Sequence, residues 1–250
     1  MKRMARNKYV DFVTDDHFRK CVKHVCDAYS KQGETLDMKK LMKHGLDPIK
    51  MVFDMINGRI DLSKWLLNEK IRQDDKTINN KVGEFHQMLL GGVVGWTDLG
   101  IGDDSHADIK KNDNSIFMEI KNKHNTVTGS SKPGLFDKLL RILVGHPNAT
   151  VYYAYVIGGR KVKAGERIWN MEGKTANPNL KEIWGNRIYE IVTGDPGALE
   201  KVWKALPGAI EDVIGIKSDI CEKDKARLVE FFTIAFHTPT EPRLRSRPLK

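Results

Sequence analysis

The sequence predicts an α/β protein, a mixed central sheet flanked by helices with a helical addition at the N-terminus. Three observations carry this. Residues 115–121 alternate strictly, with Ile116, Met118 and Ile120 on one face and Phe117, Glu119 and Lys121 on the other, which is the period of a strand. Residues 149–157, ATVYYAYVI, are a continuous apolar run of strand formers, short enough for a buried central strand. Around them apolar residues recur at helical spacing, most regularly over residues 76–90, where Ile78, Val82, Phe85, Leu89 and Leu90 share a face.

Taken in order, residues 1–80 read as mostly helical. Asp15 or Asp16 caps a helix through Phe18, Val22, Val25 and Tyr29 that ends near Gly33. Thr35 caps a second, which Gly45 and Pro48 stop. Residues 49–56 give a third, closed by Asn57-Gly58, and a fourth carries Trp65, Leu66 and Leu67. A separate, stronger helix over residues 76–90 stops at Gly91-Gly92. A glycine-rich turn over residues 95–100 leads into a first strand at residues 107–110. Lys111-Asn112-Asp113-Asn114 supplies turn chemistry before the alternating strand. After a polar loop, residues 135–143 form an apolar-faced helix bearing Lys138 and Arg141. Beyond the apolar run, strands are expected at Ile168-Trp169 and at residues 188–192, and helices at 198–206 and 228–236. The expected organisation is a helical region over residues 1–75 packed on the core, a core over 76–238, and a basic tail over 239–250. Three Arg, three Pro and no core pattern predict an exposed, poorly ordered tail.

The composition excludes several classes. Apolar residues make up 40% of the 250-residue chain, with five Trp and nine Phe, which argues against a disordered chain. No stretch approaches the ~20 apolar residues that span a bilayer, and no apolar run follows the basic N-terminus. Cys21, Cys26 and Cys221 form neither an even framework nor a CxxC pair, so reduced thiols in a cytoplasmic protein are expected. A net charge of +9 and a pI near 9.3 favour a polyanionic partner, most commonly nucleic acid.

The chemistry centres on residues 105–126, SHADIKKNDNSIFMEIKNKHNT. A hairpin here brings Asp108 beside Glu119, with Lys121 two residues along the same face. Paired carboxylates are hard oxygen ligands suited to Mg²⁺. Such an ion generates or orients a hydroxide and stabilises charge on a phosphodiester, while a neighbouring lysine offsets that charge as it develops. The pattern of carboxylate, any residue, lysine also occurs at Asp37-Met38-Lys39, Asp108-Ile109-Lys110 and Glu172-Gly173-Lys174, so the tripeptide alone distinguishes nothing. Its context does: an alternating strand, a turn, and an upstream Asp placed to meet it.

A helix carrying Glu84, then Asp108, then Glu119-Ile120-Lys121 resembles the PD-(D/E)xK nuclease superfamily. Within it, Gly83-Glu84-Phe85-His86-Gln87, Ala107-Asp108-Ile109-Lys110 and the run from Glu119 through Lys121-Asn122-Lys123-His124-Asn125-Thr126-Val127 are similar to the type II restriction endonucleases of the SinI group. Tyr189-Glu190-Ile191-Val192-Thr193-Gly194-Asp195 adds to the likeness, which covers residues 82–207. The resemblance implies a Mg²⁺-dependent endonuclease of double-stranded DNA acting at GGWCC- or GGNCC-like sites. It implies Asp108 and Glu119 as metal ligands and Lys121 as the residue that positions the attacking water or stabilises phosphorane-like charge. Glu84 would complete the metal site or hold Lys121. Ala107 stands where the superfamily name has proline.

A restriction enzyme must read base edges as well as neutralise phosphates, and Arg or Lys reads guanine best. Candidates form two sets, Asn122, Lys123, His124, Asn125 and Lys132 after the catalytic strand, and Arg160, Lys161, Lys163 and Arg167 after the buried one. A palindromic site implies a two-fold homodimer, and restriction implies a cognate DNA methyltransferase as functional companion without stable binding. Two alternatives share the sequence features, a PD-(D/E)xK nuclease of DNA repair or RNA processing, and a DNA binder on a nuclease-like fold that no longer cuts. The second has no need of a full acidic set beside phosphate. If Lys163 reads a base, Lys163→Ala relaxes site preference in a cleavage assay. If it contacts phosphate alone, all sequences weaken together and the salt dependence of binding becomes shallower.

Overall fold

The computed structural model describes residues 7–30, 38–43, 45–100, 107–159 and 163–236. The tail over residues 239–250 and the cap at Thr35 lie outside these. The described elements are α1 (Asp15–Ser30), α2 (Met38–Lys43), α3 (Pro48–Gly58), α4 (Leu62–Gly91), β1 (Trp96–Asp98), β2 (Ile109–Lys111), β3 (Ile116–Lys123), α5 (Lys132–Gly145), β4 (Thr150–Ile157), β5 (Gly165–Ile168), β6 (Leu180–Trp184), α6 (Asn186–Thr193), α7 (Ala198–Ile214) and α8 (Glu222–Phe236). A single turn of 3₁₀-helix at Gly129–Ser131 precedes α5.

Six strands form one mixed sheet in the order β1-β2-β3-β4-β6-β5. The outer pairs are antiparallel, while β3, β4 and β6 run parallel at the centre. Parallel strands need crossovers, and α5 is the one between β3 and β4. Both faces are therefore covered. Met118, Ile120, Tyr152, Ala154, Val156 and Ile183 pack toward α1, α4, α6 and α7. Phe117, Val151, Tyr153, Tyr155, Leu180 and Trp184 pack with Leu135, Phe136 and Leu139 of α5 on the other face. The continuous apolar run becomes β4, buried along nearly its whole length.

Four features differ from the sequence expectation. The helices expected around Trp65 and over residues 76–90 are one 30-residue helix, α4, because no Gly or Pro interrupts the chain between Asp61 and Gly83. Asp61 caps it, accepting from Lys64 N at 2.8 Å. Residues 188–192 are helix α6 rather than strand: Ile188, Tyr189 and Val192 are buried at spacings of one and three, and Gly194 closes the helix in the left-handed region. The short run of apolar residues concealed a helical period. The neighbouring strand is β6 instead, in which Lys181 and Glu182 break the apolar signal. Residues 96–98, read as part of a turn, form an edge strand on β2.

The junction of α4 and β1 is tight. A Cβ on Gly91 would lie 2.7 Å from Asp98 N and 2.8 Å from Asp98 Cα, and backbone atoms cannot yield as a side chain can. Gly91→Ala is expected to lower stability by about 1–2 kcal/mol, the overpacking cost exceeding the gain in helix propensity. The midpoint and slope of urea unfolding measure it.

Candidate active site

The β2–β3 register places Ile109 opposite Met118 and Lys110 opposite Phe117, which sets Asp108 opposite Glu119. Asp108 N donates to Met118 O at 2.9 Å, and Asp108 Oδ2 accepts from Ile120 N at 2.6 Å, so the backbone of β3 holds both the main chain and the carboxylate of this residue. Glu119 is only 6% exposed because β3 is an inner strand roofed by α5. Lys121 Nζ donates to Glu119 Oε1 at 2.6 Å and lies 3.9 Å from Asp108 Oδ2. It is the cation between the two acids. Lys138 of α5 reaches the same site, its Nζ 3.7 Å from Glu119 Oε2.

Burial first, and the charge of Glu119 second, push the Asp108 carboxyl up to about 6, against the pull of Lys121 and the Ile120 N–H. Two carboxylates that repel in a partly dry site form a donor set for a hard divalent cation, which prefers carboxylates completed by water and phosphate. Among the described residues, no third His, Cys, Asp or Glu joins them closely enough to form a closed cage.

Asp108 and Lys121 face a cleft of about 450 Å³ whose opposite wall is α4, through Asn80, Gly83, Glu84 and Gln87. Glu84 therefore shares the cleft, but its carboxylate is engaged elsewhere. Glu84 Oε2 meets His24 Nε2 at 2.6 Å and accepts from Lys81 Nζ at 2.8 Å. Burial opposes ionisation of Glu84, but Lys81 and His24 outweigh it and hold the group below its ordinary range. Lys121, which Glu84 was expected to hold, bonds to Glu119. Gln87 Nε2 donates to Asp98 Oδ1 at 2.8 Å and to Asp108 O at 3.5 Å, tying α4 to the end of β1 and to the residue that precedes β2.

The candidate DNA contacts fall into two places. Asn122 and Lys123 line the cleft at the end of β3, and His124 and Asn125 follow in an exposed turn where His124 N donates to Ile157 O. Lys132 is the first residue of α5 and half-buried. Lys163 and Arg167 lie beyond β4 and β6, about 14 Å from β3 at ~4.8 Å per strand. Lys163 is exposed and its carbonyl accepts from Trp184 Nε1. Arg167 donates from Nε to Glu182 Oε2 at 2.7 Å and lies 5.6 Å above the Trp184 ring. Arg160 and Lys161 lie outside the described residues.

With that geometry in hand, the profile of the family described as Eco47II restriction endonuclease matches residues 10–215. The chain belongs to this family. It is 35% identical over 222 residues to the type II restriction enzyme Sau96I of Staphylococcus aureus, covering 84% of this chain and 83% of that one. It is also 30% identical over 239 residues to the type II restriction enzyme Eco47II of Escherichia coli, covering 91% and 98%. The Eco47II-family match begins at residue 10, so it takes in α1 and with it His24, well before the residues 82–207 on which the sequence resemblance rested. Family members are type II restriction enzymes, and Asp108, Glu119 and Lys121 stand together in this one at an open cleft.

The pairings of His24 with Glu84 and of Lys138 with Glu119 escaped the sequence reading, because each joins separate elements and no spacing along the chain tells which strand or helix such a side chain meets. Lys81 was missed although its spacing shows it, three residues before Glu84 on one helix. The sign of the Asp108 shift gives a test. A carboxyl held more firmly protonated in the folded state than in the unfolded chain contributes stability below about pH 4 that is lost as pH rises to about 6. Asp108→Asn keeps an acceptor for Ile120 N and removes the repulsion. In EDTA at pH 8 it is expected to gain on the order of 1 kcal/mol, with the gain absent at pH 4; thermal melts at both pH values measure it.

Proposed function

We propose that the protein is a Mg²⁺-dependent type II restriction endonuclease that hydrolyses double-stranded DNA at a short palindromic GGWCC- or GGNCC-like site. The observation that carries the reading is the pairing of Asp108 with Glu119 on neighbouring strands, with Lys121 between them, beside a cleft open to a phosphate backbone. Asp108 and Glu119 supply the oxygens that would hold the ion, and Glu84 lies across the cleft to complete that set or order its water. Bound Mg²⁺ supplies an acidified water and counter-charge for the phosphodiester. Lys121 donates to the developing charge on the scissile phosphate or holds the attacking water, and in the DNA-free state it keeps Glu119 paired.

The two sets of basic and amide residues would divide the work of recognition. Asn122, Lys123, His124, Asn125 and Lys132 sit near the reacting phosphate and suit backbone contacts, whereas Lys163 and Arg167 belong to the far edge and, with Arg160 and Lys161 of the same set, suit base reading. The palindrome supports a two-fold homodimer, each copy reading one half-site. A cognate methyltransferase would protect the host site, and both would work in the cytoplasm, where the DNA is. Among the described residues no helix is long and apolar enough to cross a membrane.

Digestion of unmethylated phage DNA with the purified protein tests the reading, and discrete bands with Mg²⁺ and none with EDTA are expected. A smear would retain the chemistry and remove the site specificity. Intact DNA with a mobility shift would establish a binder that no longer cuts. Asp108→Ala is expected to abolish cleavage while leaving specific binding largely intact in a gel-shift assay, and retained cleavage would remove Asp108 from the centre of the mechanism.

A further inference from the structure

The sheet face beneath α5 carries one polar row that crosses four strands. Glu119 on β3 is in register with Tyr153 on β4, Tyr153 with Glu182 on β6, and Glu182 with Arg167 on β5. Paired residues of adjacent strands point to the same face, so the row runs from the catalytic carboxylate to the candidate base-reading arginine. Tyr153 is 1% exposed, its ring stacks on Trp169 at 4.8 Å, and its hydroxyl has no hydrogen-bond partner. Buried hydroxyls nearly always have one, so an exception asks for an explanation. Burial, then Glu182 and then Glu119, push the Tyr153 hydroxyl up to about 12, so it remains a donor at any working pH, and both carboxylates act on it.

Glu182 is buried except for its pair with Arg167, whose Nε and Nη2 both reach Oε2, at 2.7 and 2.6 Å. Arg167 itself is mostly in solvent at the sheet edge, held by Glu182 and by the face of Trp184. If it leaves for DNA, Glu182 is left as a buried charge without a partner, which is strongly unfavourable. The neighbouring hydroxyl on β4 is a donor without an acceptor. We propose that Tyr153 is a positioning residue for DNA reading: its hydroxyl takes over Glu182 when Arg167 transfers from that carboxylate to DNA. The unpartnered hydroxyl of the free protein is the reserve that makes the transfer inexpensive, and Lys121 and Lys138 meanwhile keep Glu119 from claiming it. The inference rests on the proposed DNA-cleaving function and on Arg167 as one of its DNA contacts.

A double-mutant cycle tests it without catalysis. Wild type, Tyr153→Phe, Arg167→Ala and the double variant are titrated onto a duplex containing GGACC and onto a scrambled duplex, with Ca²⁺ in place of Mg²⁺. Tyr153→Phe removes a single oxygen, and its melting temperature is expected to be unchanged or raised, because an unsatisfied buried hydroxyl is lost. It should weaken binding to the GGACC duplex about tenfold, Arg167→Ala should weaken it as well, and adding Tyr153→Phe to Arg167→Ala should change nothing further. Wild-type affinity in Tyr153→Phe, wild-type affinity in Arg167→Ala, or losses that multiply in the double variant would each overturn the inference. A wild-type protein that does not favour GGACC over the scrambled duplex would instead overturn the proposed function on which it rests.

Discussion

The register of β2 against β3 is the constraint on which the site depends. It sets Asp108 opposite Glu119, and a slip of one residue would turn one of them to the other face of the sheet. The apolar alternation of β3 secures that register, because Met118 and Ile120 have a core to fill on one side and Phe117 on the other. The like charges that result are tolerated only because two lysines meet Glu119 and a backbone N–H meets Asp108. The charge that repels in this pair is charge that a bound cation would relieve.

The rest of the molecule is arranged around that pair. The α5 crossover, required by the parallel β3–β4 connection, roofs the acidic face and delivers Lys138 to it. The long helix α4 forms the opposite wall of the cleft and brings Glu84 and Gln87 to it. The N-terminal helices contribute as well. Helix α1 packs its Phe18, Cys21 and Val22 into the core, and its His24 holds Glu84 from behind. Excising α1 would therefore strip both core and cleft, consistent with a family match that begins at residue 10.

What could be read early follows from what is local. The strand period of residues 115–121, the apolar run of β4 and the turn chemistry before β3 are each written within a few residues, and Asp108, Glu119 and Lys121 follow from one hairpin. The cap of α1, expected at Asp15 or Asp16, is instead Thr14, whose Oγ1 accepts from His17 N at 3.2 Å, and Gly33 lies outside the described residues. The strand expected at residues 188–192 failed because five apolar-rich residues do not separate a period of 2 from one of 3.6; burial against His86 decided for α6, with Tyr189 OH 2.7 Å from His86 Nδ1. β6 was missed because its charged residues Lys181 and Glu182 meet partners, Glu166 and Arg167, that only the β5–β6 pairing supplies.

The sequence by itself thus determined the hairpin, its acidic pair and its lysine, along with the α/β class and the basic character suited to DNA. Those features depend on residues adjacent along the chain or joined by one tight turn, where backbone geometry leaves few choices. Only the tertiary structure decided which distant side chains meet them: His24 on Glu84, Lys138 on Glu119, and the row that joins Glu119 through Tyr153 and Glu182 to Arg167. These contacts depend on strand order and on which helix covers which face, and both are fixed by the packing of the whole sheet rather than by any local pattern.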